Sequence, residues 1–132
     1  MANILIDTNL FLDMILQRPQ ADASAKAIAK VIRNRDHCII TANAMTDIYY
    51  VAHRAFHDKS LATSAVSMVM DIAGIVPVDR NNIREAIGMD FADFEDAVAV
   101  SVAVANNAEC IITNNVKDFQ KSPIPVKSPS EY

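Results

Sequence analysis

Apolar residues along this chain fall into two rhythms that alternate. Short unbroken runs occupy positions 4–6, 38–41, 75–78 and 110–112. Runs of that length without a polar gap predict strands covered on both faces. Between them the spacing changes to every third or fourth residue. Phe11, Leu12, Ile15 and Leu16 predict a first helix. Ala23, Ala27, Ile28, Val31 and Ile32 predict a second over 21–33, with Lys26, Lys30, Arg33 and Arg35 outside it. That basic face reads as solvated, or else as a surface for RNA or a partner. Residues 42–56 predict a third helix, with Ala44, Ile48, Val51, Ala52 and Ala55 inward, and residues 61–72 a fourth, with Leu61, Ala65, Met68, Val69 and Ile72 inward. Gly74 fits a helix stop after the fourth. Pro77 marks the run at 75–78 as an edge strand. A short helix follows at 81–88.

Residues 97–105 read A-V-A-V-S-V-A-V-A, which alternates like a strand. Length and alanine content favour a deeply buried helix reaching Asn106. Asp93 is then its N-cap and Asp96 its third residue, near a capping box. Cys-Ile-Ile-Thr occurs at 38–41 and again at 110–113. The echo fits two neighbouring parallel strands under the same demands, not a duplication. Residues 116–119 form a turn, 124–126 a last edge strand interrupted by Pro125, and 128–132 a frayed tail. Strands alternating with helices predict an α/β fold in three layers, with a mostly parallel central sheet between helices.

With 132 residues, the chain fits one domain, 1–132, with a two-sided core. Hydrophobic residues make up 52% of it, which argues against disorder. Two glycines in the whole chain exclude a glycine-rich phosphate cradle. There is no signal-peptide pattern and no apolar run of the roughly 18 residues a membrane span needs. Cys38 and Cys110 sit in apolar runs and read as buried free thiols in a reducing cytoplasm. His53 and His57 lack a third ligand and read as surface groups. A net charge of −4 argues against a broad nucleic-acid-binding surface, but not against carboxylates that hold cations.

The candidate chemistry lies where strands hand over to helices. Asp7, Thr8 and Asn9 follow the first strand, at the rim where open α/β sheets bind ligands. All three are also good helix caps. Asp47 borders the apolar stripe of the third helix, either paired or facing water. Asp90, Asp93, Glu95 and Asp96 crowd seven positions, and a helix N-terminus relieves only part of their repulsion. Thr113, Asn114 and Asn115 end the strand at 110–112. If these groups converge they make an oxygen-only site of the kind Mg²⁺ or Mn²⁺ prefers. Such an ion activates water and neutralises charge in phosphodiester hydrolysis.

Four motifs carry a family resemblance: I-D-T-N-L-F-L-D at 6–13, T-D-I-Y-Y at 46–50, D-F-E-D-A-V at 93–98 and I-I-T-N-N-V-K-D-F at 111–119. In this order and spacing the chain resembles PIN domains of the VapC toxin type. The resemblance implies a five-stranded parallel sheet and a Mg²⁺- or Mn²⁺-dependent endoribonuclease. It also implies a homodimer and a cognate antitoxin protein, the chain being the toxin of a type II toxin–antitoxin pair. It assigns metal binding and catalysis to Asp7, Asp47 and Asp96. Asp47 stands where the family usually has Glu, and Asn115 where it often has Asp. Asp93 and Asp118 are expected in the outer shell, Thr8 and Asn9 as orienting groups for Asp7, and Thr113 near a phosphate or water. The alternatives are a PIN-like module that binds RNA or protein without cutting, and a phosphatase with Asp7 as nucleophile. The second usually needs an Asp two residues on, where this chain has Asn9.

Overall fold

The computed structural model describes residues 1–132. The elements alternate as the two rhythms require. Strands are β1 (Asn3–Ile6), β2 (His37–Thr41), β3 (Gly74–Val76), β4 (Ala108–Ile112) and β5 (Val126–Lys127). Helices are α1 (Thr8–Ile15), α2 (Ala21–Arg33), α3 (Ala42–Phe56), α4 (Lys59–Ile72), α5 (Arg80–Gly88) and α6 (Phe94–Ala105), with a 3-10 turn at Val116–Phe119. The five strands form one sheet in the order β3-β2-β1-β4-β5, and every neighbouring pair is parallel.

Successive strand residues point to opposite faces, so β1 feeds two cores. Ile4 and Ile6 join Leu10, Phe11, Val31, Ile48 and Val69 beneath α1, α2, α3 and α4. Leu5 joins Ile39, Val100, Val102 and Ile111 beneath α5 and α6. Helix α6 is the alanine-valine stretch, and it runs as a helix because it lies on a sheet already complete. Asn82 pins α5 to it, its side-chain amide donating 3.0 Å to Ser101 Oγ.

Several expectations need correction. Cys38 and Cys110 strands are not neighbours: both pair with β1, one on each side. The same four residues recur because both strands flank the same central strand. Ile32, Ala55 and Leu61 point outward, Ile32 and Leu61 being half exposed. Ser24 and Met45 take inward places instead. Gly74 is not a left-handed stop: it opens β3, and no glycine has positive φ. With so little glycine, the chain makes its left-handed turns with Gln17, Arg35, His57, Asp90 and Asn107. The final strand begins only after Pro125, at Val126. The tail is not frayed. Tyr132 packs against the first core, and Lys30 and Lys127 lie over its ring at 5.2 and 5.9 Å.

Phe11 is fully buried where α1 meets the first core. Replacing it with alanine is expected to destabilise the fold by about 3–5 kcal/mol, measured as a shift in urea midpoint at unchanged slope.

Candidate active site

Strand order reverses at β1. The chain steps from β1 out to β2 and β3, then returns to β4 on the other side. The crevice at such a switch point opens over the carboxyl ends of the two strands. Here those ends are Ile6-Asp7 and Ile112-Thr113, tied by the Asp7 amide donating 3.0 Å to the Ile112 carbonyl. Above them lies a cleft of about 240 Å³, lined by Asp7, Thr8, Asn9, Leu12, Thr41, Asn43, Asp93, Glu95, Asp96, Ala99, Asn115 and Asp118. Five of those side chains are carboxylates and none is cationic.

Asp7 is placed by its backbone and held by its side chain. It precedes α1 in extended conformation but makes no capping hydrogen bond within that helix. Instead the Thr113 hydroxyl donates 2.7 Å to Asp7 Oδ2, and the Asn115 amide donates 3.0 Å to the same hydroxyl oxygen. Burial pushes the Asp7 carboxyl up, and the charge of Asp93 adds to this; the Thr113 hydroxyl and the Thr8 and Asn9 amides oppose it, and the balance lies above the usual value.

Helix α6 carries the opposite wall. Asp93 is its N-cap, and its carboxylate accepts 3.0 Å from the Asp96 amide. Asp93 is thus the capping group expected, which leaves the Asp96 side chain free in the first turn. Burial raises the Asp96 carboxyl to about 7, helped by the charges of Asp93, Asp7, Asp118 and Glu95. Glu95 is raised too, by burial first and then by Asp47, Asp93 and Asp7.

The structure therefore brings together Asp7, Thr8, Asn9, Asp93, Asp96, Asn115 and Asp118, with Thr113 bracing Asp7 from the strand end. Asp47 is half buried on α3 and does not line the cleft; its charge acts on Glu95, which does. Glu95, Asn43 and Thr41 are lining residues that pattern reasoning missed. Glu95 had a signal, since it stands inside the acidic run. Asn43 had the position of the first turn after β2. No three acidic, histidine or cysteine side chains close into a preformed metal cage. The donor set still suits a hard divalent cation. It offers only oxygen, carries crowded negative charge with no cationic side chain in its lining, and Mg²⁺ keeps several waters and needs few protein ligands.

Three comparisons bear on this site. A PIN domain family model matches residues 3–117. The chain is 25% identical to Ribonuclease VapC1 of Aquifex aeolicus over 135 residues, covering 98% of this chain and 92% of that protein. Among solved structures, it is similar to a chain of VapBC2 from Rickettsia felis bound to a promoter DNA fragment. That match has TM-score 0.76 and 17% identity, covering 96% of this chain and 98% of the other. A chain of VapBC-1 from nontypeable Haemophilus influenzae matches with TM-score 0.72 and 16% identity, covering 97% and 98%. At these identities the structures establish the shared fold.

The raised Asp96 carboxyl makes stability depend on pH. Its ordinary value is 3.8, and in the fold it is about 7. The folded state keeps the proton over a range where the unfolded chain has released it. The contribution is full at low pH and is lost as pH rises through the folded value. In chelator, the urea midpoint is expected to fall between about pH 4 and pH 7, and Asp96→Asn to flatten that fall. An equal slope in the variant would show that Asp96 ionises normally.

Proposed function

The chain belongs to the PIN domain family, and from that premise we propose that it is a divalent-metal-dependent endoribonuclease, the toxin of a toxin–antitoxin pair. One observation carries the reading: five carboxylates and no cationic group line the cleft at the switch point. The relative named Ribonuclease VapC1 supports RNA as substrate.

Asp7 and Asp96 are the residues assigned to hold Mg²⁺ or Mn²⁺, and Asp47 is the third acidic group proposed for it. Glu95 lies between this assignment and the cleft, since it both lines the cleft and senses the Asp47 charge. A bound ion supplies charge neutralisation at the phosphate and acidifies water. The chain's own residues do the rest. Thr113 donates to Asp7 Oδ2 and fixes that carboxylate toward the strand end. Thr8 and Asn9 place their amides beside the same carboxyl group. Asp96 has a value near neutrality, so its charge state responds to what binds beside it. Asn115, uncharged, is assigned to orient a water or phosphate oxygen, with Asp93 and Asp118 shaping the field around it. In this reading water is the nucleophile, and no covalent intermediate forms.

The toxin role implies an antitoxin partner. The Rickettsia and Haemophilus neighbours, named as VapBC assemblies, support it. So do Tyr50, Phe56 and Leu61, which leave apolar surface uncovered on α3 and α4. We also assign a homodimer and a cytoplasmic site of action. The buried free thiols Cys38 and Cys110 suit a reducing compartment; burial lifts Cys38 to about 11, so it is not a reactive thiolate. No helix is long and apolar enough to cross a membrane.

The test is direct. Purified protein is incubated with mixed RNA oligonucleotides in Mg²⁺ or Mn²⁺, then in chelator, beside Asp7→Asn and Asp96→Asn. Cutting is expected to cease in chelator and to drop roughly 100-fold or more in each variant. RNA retained without cutting would favour a binding module. Cutting that survives both substitutions would place the activity elsewhere.

A further inference from the structure

Asp13 is the one carboxylate buried among the core residues, 3% exposed. It lies outside the acidic cleft, and nothing in the proposed reaction uses it. A buried carboxylate is costly unless donors surround it. Here three segments supply them. The Ser24 hydroxyl of α2 donates 3.2 Å to Oδ2. The Asn114 amide, just past β4, donates 2.6 Å to the same oxygen. The Arg18 guanidinium, from the turn after α1, stands 3.5 Å from Oδ1. The same Arg18 nitrogen stands 3.5 Å from Asn9 Oδ1, at the limit of a hydrogen bond.

The donors meet at Asp13 for a geometric reason. Asn114 lies between Thr113, which holds Asp7, and Asn115, which lines the cleft. Asp13 lies on the helix that Asp7 leads into. The segment 7–13 and the segment 113–115 are therefore cross-linked twice, once by Asp7 with Thr113 and once by Asp13 with Asn114. One link leaves a loop free to pivot about it; two links fix its orientation. Arg18 extends the hold to Asn9 on the near wall.

Taking the ribonuclease reading as its basis, we propose that Asp13 is a positioning residue for the active site. By binding Asn114 it holds the Thr113–Asn115 turn in register with Asp7. It touches neither substrate nor ion. Its effect is on kcat, because a small displacement of positioned groups costs about 100-fold in rate.

Asp13→Asn keeps the shape but turns a group that accepts at every site into one that must also donate. The expected result is a kcat roughly 100-fold lower with KM for RNA within about twofold. Amide hydrogen exchange across 113–118 is expected to quicken at least about tenfold, with β1 still protected. The exchanged pair Asp13→Asn with Asn114→Asp restores one carboxylate and one amide, and is expected to recover most of the lost rate. Ser24→Ala removes the α2 contact alone, and is expected to lower the urea midpoint with little change in kcat. If Asp13→Asn does not fold, Asn114→Ala carries the same expectations for rate and exchange. A folded variant with lowered stability but unchanged kcat and unchanged loop exchange would overturn the proposal. If the unmodified protein cuts no RNA, the functional reading fails, and the exchange at 113–118 alone decides whether Asp13 holds the turn.

Discussion

Thr113 gives its hydroxyl proton to Asp7 over 2.7 Å and accepts at the same oxygen from the Asn115 amide. The two bonded side chains stand 106 positions apart in sequence. Their meeting depends on the sheet order, since only a β4 laid directly beside β1 brings both strand ends to one point. That order depends in turn on β1 being apolar toward both faces. Ile4 and Ile6 anchor one core and Leu5 the other, so β1 is stable only at the centre. The carboxylate position and the burial of three aliphatic side chains are thus one constraint seen at two scales.

A second consequence concerns charge. Parallel strands present all their carboxyl ends to one rim, and helices that follow those strands present their N-termini there. The positive ends of α1, α3 and α6 favour acidic residues, and the chain supplies more than they neutralise. Asp93 uses its carboxylate to cap α6. Asp96, Glu95 and Asp7 remain with raised carboxyl values, and burial is the largest cause in each. Free energy is stored in this crowding. A cation entering the cleft gains from every one of these groups at once.

Much of this could be read along the chain, because local rules decided it. Helices α2 and α3 begin and end where periodicity placed them, since Arg33 and Phe56 each precede a left-handed exit within two residues. Asp7, Asp93 and Asp96 were legible because strand-end position and helix N-terminal position are sequence properties. What escaped depends on contacts that no spacing records. Ile32 and Leu61 keep the helical period and still face solvent. Tyr132 looked like the end of a loose tail, yet Lys30, 102 positions earlier, lies over its ring together with nearby Lys127. Asp47 borders the apolar stripe of its helix and lies in one of the four motifs, yet it does not line the cleft. Whether a helical side chain reaches a cleft depends on the rotation of its helix, which the neighbouring helix sets.

Asp13 and Asp96 make the distinction between structure and chemistry concrete. Both are aspartates withdrawn from solvent, Asp13 near the end of α1 and Asp96 in the first turn of α6. Asp13 is the more buried and has a donor from each of three segments. Asp96 is less buried, yet no donor compensates it, and its nearest charges are carboxylates. Depth of burial therefore does not separate the scaffold from the reactive group. What separates them is whether the protein has already supplied the partner. Where donors are complete, a carboxylate is committed to holding the backbone and has nothing left to offer. Where they are missing, the group is kept in a state that only an incoming cation or proton relieves. On that criterion Asp7 falls between the two. Thr113 and the Thr8 and Asn9 amides hold its carboxyl, yet burial still leaves it above its usual value, as suits a residue that must be fixed in place and still bind.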